Sequence, residues 1–243
     1  MCIRDRVYRA DLAICGDIHT VLSGVIEQIE QDNQLLDQPD NNDIEDIQSA
    51  QKQHNDASPV FASGFELVEQ LFRRMEHALP ANSMIFDDNI IYAQNFFRVN
   101  RGIRYFPNSG ISSLGHAVPA AIGARFSSSD PAVVIIGDGG FQMCCMEIMT
   151  ARNYNIPLTI ILFNNSSMGL IRKNQNQQYA ERYLDCDFNN PDYRMLAKSF
   201  GIDYVRVEST PDLDKLFTNT AEQSVLIDVF IDKNAFPVYH SNR

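Results

Sequence analysis

The sequence predicts an α/β fold, a doubly wound parallel sheet covered by helices on both faces, and three observations predict it. Ala132 to Ile136 and Leu158 to Phe163 are short, continuous, β-branched-rich runs, the pattern of strands buried on both sides. Segments of helical periodicity fall between and after such runs, so strands alternate with helices. Two loops of small or oxygen-bearing residues, Gly137-Asp138-Gly139-Gly140 and Asn164-Asn165-Ser166-Ser167, directly follow those two runs. In open parallel sheets that is where ligands bind, at the carboxyl ends of strands beside helix N-termini.

Taken in order, Met1 to Arg6 resembles the translated end of a sequencing adapter and is expected to be a non-native scar, which implies a longer native protein. Residues 7–30 read as the end of a preceding domain: a short strand, Asp11 to Cys15, a turn at Gly16-Asp17, and a helix. In that helix Val21, Leu22, Val25, Ile26 and Ile29 recur at helical spacing. Residues 31–63 read as a polar linker, rich in Asp, Asn and Gln and too poor in apolar surface to offset the entropy of ordering.

Residues 64–243 then form the main domain. Phe65, Leu67, Val68, Leu71, Phe72 and Met75 outline an amphipathic helix that stops before Pro80. Ser83 to Phe86 is a candidate strand. Asn190-Pro191-Asp192 reads as a helix start with Pro at the first helical position, and Gly201 follows the last periodic residue. Thr210-Pro211 opens another helix, and Ser224 to Ile231 closes with a strand.

Composition narrows the function. The 243 residues are 44% hydrophobic, enough for the core of one domain with attachments. No apolar run approaches the roughly 20 residues of a membrane helix. A net charge of −11 argues against a nucleic-acid surface, which needs clustered Lys and Arg. The five cysteines form no CxxC pair and read as free thiols packed as small hydrophobes in a cytoplasmic protein.

The two strand-tip loops together describe a metal–diphosphate site. Glycines let the backbone approach a phosphate closely, and the N–H groups of a helix start attract anions. Asp138 and Asn165 are hard oxygen donors suited to Mg²⁺, which takes few protein ligands and completes its shell with phosphate and water. A plainer reading stays open: Asp138 caps its helix and Asn164-Asn165 is a turn.

A Gly-Asp-Gly followed, after the 24 residues from 140 to 163, by Asn-Asn resembles the signature of thiamine-diphosphate enzymes. Asn108 to Ala124, Gly137 to Met143, and the stretch from Pro191-Asp192-Tyr193 to Gly201-Ile202 are similar to segments of acetolactate synthases and their relatives. The resemblance implies that residues 64–243 are a C-terminal diphosphate-binding domain. It implies Mg²⁺ held by Asp138, Asn165 and the carbonyl of Ser167, and diphosphate cradled by Gly137, Gly139 and Gly140. Leu114 would bend the cofactor beneath its thiazolium ring, and the Ser112 carbonyl would accept from the 4′-amino group. Met168, Gly169 and Leu170 would flank the cofactor, Leu170 on the substrate side.

The implied reaction is decarboxylation of a 2-oxo acid followed by carbon–carbon bond formation. A decarboxylase or other lyase on the same scaffold is the alternative, and a non-catalytic assembly module is the alternative of another class. A nucleotide-binding Rossmann domain is disfavoured, because no GxGxxG follows a first strand. The family's activating glutamate belongs to an N-terminal pyrimidine-binding domain of another subunit, so no catalytic residue is assigned. The resemblance also implies a homodimer or homotetramer, FAD as a further cofactor of a full-length protein, and no activity for this chain by itself.

Two segments depart from the family. Acetolactate synthases usually carry Trp a few residues past Asn-Asn, where this chain has Asn174 and contains no Trp at all. Phe86-Asp87-Asp88-Asn89 stands where many of them have Gly-Gln-His. Of the remaining polar residues, His116 is expected to be buried and hydrogen-bonded, with substrate contact as its other reading; Arg172-Lys173 either meet a carboxylate substrate or, at least as well supported, lie on a solvated helix face; and Tyr179 and Tyr183 are expected to serve packing.

Overall fold

A computed structural model of the chain describes residues 14, 16–31, 64–99, 102–110, 112–217 and 223–236. The chain divides into two units, residues 1–60 and 61–243. The first contains helix α1 (Ile18–Gln31), none of whose residues is buried. Asp17 starts it, accepting from the Thr20 N–H and hydroxyl, both at 3.0 Å. The expected scar, all of the expected strand except Ile14, and residues 32–63 of the expected linker lie outside the described residues.

In the second unit six parallel strands run in the order β2–β1–β3–β4–β6–β5. They are β1 (Met84–Asp87), β2 (Arg104–Pro107), β3 (Ala132–Gly137), β4 (Thr159–Asn164), β5 (Asp203–Val207) and β6 (Val225–Phe230). The helices are α2 (Glu66–Ala78), α3 (Ile91–Phe96), α4 (Ala117–Arg125), α5 (Asp138–Cys144), α6 (Ile148–Asn153), α7 (Gly169–Gln178) and α8 (Tyr193–Phe200). Among the described residues no helix is long and apolar enough to cross a membrane.

Strand pleating explains why the central runs are apolar throughout. Successive side chains point to opposite faces, so Val134, Ile136, Ile160 and Leu162 enter one buried cluster, while Val133, Ile135, Ile161 and Phe163 enter the other. Helices α4, α5, α6 and α8 cover the first face, and α2 and α3 cover the second. Each fully buried Ile or Val contributes roughly 1.5–3 kcal/mol, so the two middle strands anchor the domain.

Three details differ from the sequence reading. Strands β2 and β5 are unmarked in sequence because they are sheet edges: their residues are mostly exposed or half-buried and mix Arg, Tyr and Asp among the apolar ones. Helix α8 is capped by Asp192, whose carboxylate accepts from the Met195 N–H at 3.0 Å, so Pro191 precedes the helix and Asn190 is released for another use. Gly201 takes the expected left-handed conformation at its end, with φ 68°. The turn at Thr210–Lys215 is a 3₁₀-helix, fixed by the Ser209 N–H and hydroxyl donating to Asp212 at 2.9 and 2.8 Å.

Strand β1 lies between β2 and β3, so the chain changes direction across the sheet there, and the carboxyl ends of β1, β3 and β4 border the resulting crevice. Strand β1 ends in Asp87, which is 1% exposed. Its oxygens accept from the Ile90 N–H at 2.9 Å and the Tyr105 hydroxyl at 2.7 Å. Burial nevertheless pushes its pKa up to about 6. The folded chain thus keeps this proton through a range in which the unfolded chain, at the ordinary value of 3.8, has lost it. Its contribution to stability therefore falls as the pH rises from about 4 to about 6 and stays reduced above that. Asp87→Asn should match the parent below pH 4 and exceed it above pH 6 by up to roughly 3 kcal/mol. Urea unfolding followed by circular dichroism from pH 4 to 8 measures this, and a difference independent of pH would refute it.

Candidate functional site

A cavity of about 340 Å³ opens at the carboxyl ends of β1, β3 and β4. All eleven residues expected to hold a cofactor or metal line it: Ser112, Leu114, Gly137, Asp138, Gly139, Gly140, Asn165, Ser167, Met168, Gly169 and Leu170. Also on its wall are residues the sequence reading did not select, among them Asp88, Asn89, Ile90, Ile91, Tyr92, Phe163 and Ile171.

Strand β3 delivers Asp138 to the cavity at the first residue of α5, and the side chain is 1% exposed. Its Oδ2 accepts from the N–H of Ser166 at 2.6 Å and of Asn165 at 3.0 Å, and from Asn190 Nδ2 at 2.8 Å. Among the described residues its Oδ1 accepts only from the Gly139 N–H, at 3.0 Å. Burial raises the pKa of this carboxyl, and the four hydrogen bonds oppose the rise. The carboxylate therefore joins two strand tips: it sits at the end of β3 and grips the turn that follows β4.

That turn is built from its own side chains. Asn165 Oδ1 accepts from the Ser167 N–H at 3.1 Å, and Ser166 takes a left-handed φ of 54°. The Ser167 hydroxyl donates to the Cys186 carbonyl at 3.0 Å, and residue 167 forms an antiparallel bridge with residue 187. Two glycines are required by close approach. A Cβ on Gly140 would run into the Asp88 carboxylate, and one on Gly169 would come within 2.8 Å of Asn165 Nδ2.

Asp88, 1% exposed, plays a part that sequence reasoning missed. Its Oδ2 accepts from the Gly115 N–H at 2.8 Å, and its Oδ1 from those of His116 at 2.8 Å and Ala117 at 3.1 Å. These are donors at the start of α4, which has no side-chain cap of its own. Asp88 thereby fixes the loop holding Ser112, with φ 54°, and Leu114, which is 38% exposed on the cavity wall. His116 is exposed, not buried as expected, because the backbone of residue 116, and not its ring, meets the anchoring carboxylate.

Helix α7 forms the outer wall, with Leu170 44% and Ile171 50% exposed. Arg172 and Lys173, expected on a solvated face, are each only 5% exposed. Arg172 Nη1 bonds both Asp187 oxygens at 2.8 and 2.9 Å, Nη2 donates to Asn234 Oδ1 at 2.9 Å, and the guanidinium lies 3.8 Å from the Tyr183 ring centroid. These partners account for the burial of Arg172, and none is adjacent in sequence. Tyr183, 37% exposed, meets the Arg172 guanidinium with its ring, and Tyr179 is 54% exposed. Cys144, Cys145 and Cys186 are free thiols, and burial pushes the Cys144 thiol up to about 12, which keeps it unreactive.

The donor set suits a hard cation bound with a diphosphate. Among the described residues no group of three or more His, Cys, Asp or Glu side chains converges, as a zinc site would require. One carboxylate, one amide oxygen and backbone carbonyls are instead what Mg²⁺ takes when phosphate supplies the rest of its shell. Tyr92, buried beside them, is kept a neutral phenol by burial and by the nearby Asp138 charge.

Comparison with known proteins agrees with this geometry. Residues 88–229 match the family model for the thiamine pyrophosphate enzyme, C-terminal TPP binding domain. The chain is 29% identical to the "probable acetolactate synthase large subunit" of Methanococcus aeolicus, over 93% of this chain and 40% of that protein. It is 32% identical to the sulfoacetaldehyde acetyltransferase of Alcaligenes xylosoxydans xylosoxydans, over 59% of this chain and 24% of that one. The chain thus spans well under half the length of these relatives. In fold it is similar to the thiamine diphosphate-dependent 4-hydroxybenzoylformate decarboxylase of Rhodococcus jostii, with a TM-score of 0.62 and 23% identity over 70% of this chain and 33% of the other. With more than half of its residues matched by the family model, this chain belongs to the thiamine pyrophosphate enzymes, and residues 88–229 are its C-terminal TPP-binding domain.

Proposed function

We propose that this chain supplies the diphosphate- and metal-binding side of the active site of a carboligase resembling acetolactate synthase, which decarboxylates a 2-oxo acid and forms a carbon–carbon bond. The observation that carries the proposal is the junction of two strand tips, Asp138 of β3 holding the Asn165-Ser166 turn of β4 beneath a glycine-lined helix start. Bound here, thiamine diphosphate supplies the electron sink that decarboxylation of a 2-oxo acid requires.

The chain's own residues do the holding. Asp138, Asn165 and the Ser167 carbonyl offer oxygens to Mg²⁺, which neutralises a diphosphate in a partly dry cavity. The backbone N–H groups of Gly140 and of Gly139, the latter shared with Asp138 Oδ1, open α5 and attract the phosphate oxygens, Gly137 leaves room for them, and Gly169 lets Asn165 approach. Leu114, braced through Asp88, is the apolar support against which a two-ring ligand bends, and the Ser112 carbonyl is an acceptor beside it. Met168, Leu170 and Ile171 exclude water from the substrate side.

Among the described residues no glutamate lines the cavity. By the family resemblance, the glutamate that activates the cofactor is read as belonging to a pyrimidine-binding domain of another subunit, in a homodimer or homotetramer, with FAD bound elsewhere in the whole protein. The free thiols suit a reducing cytoplasm. Asn174 in place of the usual Trp supports an acceptor unlike that of acetolactate synthases, which keeps a plain decarboxylase as the second reading. Product analysis of the complete enzyme separates the two: a hydroxy-oxo acid for the carboligase, a free aldehyde for the decarboxylase.

Two further outcomes are expected. Calorimetry on this chain should detect thiamine diphosphate binding that depends on Mg²⁺ and weakens at least tenfold in Asp138→Ala; equal binding by both proteins would remove the metal assignment. With thiamine diphosphate and Mg²⁺ added, the chain by itself should not turn over pyruvate, and measurable release of CO₂ would overturn the shared-site reading.

A further inference from the structure

We infer that Asn190 is a positioning residue that sets the orientation of the Asp138 carboxylate for metal binding, and that Asn164 and Asp228 brace it from inside the sheet. The inference deepens the proposed function and rests on it. Asn190 does not line the cavity. Its Nδ2 donates to Asp138 Oδ2 and Asn164 Oδ1, both at 2.8 Å, and lies 3.2 Å from the Ser166 hydroxyl. Its Oδ1 accepts from Gln142 Nε2 at 2.7 Å and from the Tyr193 hydroxyl at 3.0 Å. Asn164 in turn donates its own Nδ2 to Asp228 Oδ1 at 3.0 Å. Asp228, 2% exposed, gives its other oxygen to the Tyr204 hydroxyl and to Arg206 Nη1, both at 2.7 Å.

The direction of every bond in this chain is forced. An ionised carboxylate only accepts, so Asn164 must turn its amino group to Asp228 and its oxygen to Asn190. Asn190 must then give its amino group to both Asn164 and Asp138. Its oxygen is left to Gln142 and Tyr193, which are the donors that meet it. The consequence lies at Asp138. Among the described residues Oδ2 is occupied by three N–H donors, while Oδ1 accepts from Gly139 alone, so Oδ1 is the oxygen left with capacity for a cation. Neither an apolar nor an acceptor-only side chain at position 190 can reproduce this.

The test uses the 243-residue chain with Mn²⁺ as a paramagnetic probe, titrated in the presence of thiamine diphosphate and read by electron paramagnetic resonance. Asn190→Leu keeps the volume and removes every hydrogen bond; its Mn²⁺ affinity should fall by roughly 10–100-fold, the usual cost of losing a partner that orients a ligand. Asn190→Ser, which keeps one donor, should fall between the parent and Asn190→Leu, and it carries the test if the leucine variant loses its near-ultraviolet dichroism. Tyr193→Phe removes a contact to Asn190 but not its donors, and should bind Mn²⁺ within a few-fold of the parent. If both Asn190 variants bind as tightly as the parent while Asp138→Ala does not bind, the role of Asn190 is overturned and the site stands. If the unaltered chain fails to bind Mn²⁺ with thiamine diphosphate, the proposed function falls and this inference falls with it.

Discussion

The buried carboxylate of Asp138 is the interaction on which the rest of the site depends. A carboxyl that is 1% exposed loses its water, and leaving it unpartnered would cost several kcal/mol. The fold meets this with four N–H donors from three places in the chain: the next residue, the turn after β4, and Asn190 from the segment before α8. Each donor constrains the backbone that carries it. The left-handed Ser166, the Asx turn at Asn165, and the displacement of the α8 cap onto Asp192 all follow from the need to bring donors to one carboxylate.

A second buried acid one strand away solves a different problem. Asp88 accepts three backbone N–H groups at the start of α4 and has the glycine at 140 pressed against it. Both of its oxygens are engaged by the backbone, which makes it an anchor for the loop of Ser112 and Leu114. Asp138 keeps one oxygen lightly engaged among the described residues, which is why it is the carboxylate we propose as a metal ligand. The two carboxylates are alike in burial, and their hydrogen-bond partners separate their roles.

The substrate side of the cavity is held more indirectly. Helix α7 contributes Leu170 and Ile171 to the wall, and its position is fixed by Arg172, which reaches Asp187, Tyr183 and Asn234 at once. A buried guanidinium with a bidentate carboxylate and an aromatic face is a rigid joint. Leu170 and Ile171 are thus held on the cavity wall by contacts made from the opposite side of the helix.

How much of this was legible beforehand depends on the range of the interaction. Strands β3 and β4 could be read because burial on both faces makes every residue apolar, and the strand-tip motif because glycine, acid and amide sit together in short segments. The edge strands β2 and β5 could not, since an exposed edge relaxes the apolar requirement that marks a strand. Asn190 looked like a helix cap because local rules favour Asn before Pro, and only the folded chain carries it to Asp138, 52 residues away in sequence. Arg172 and Lys173 looked solvated because charge usually faces water, and the burial of Arg172 depends on partners brought in from the later segments. By itself the sequence determined the fold class and which residues gather at the strand tips, because local periodicity and backbone requirements are written in adjacent residues. Tertiary structure decided which carboxylate has both oxygens engaged by backbone, which one keeps an oxygen lightly engaged, and which amide meets it, because hydrogen-bond saturation is a property of groups that meet only after folding.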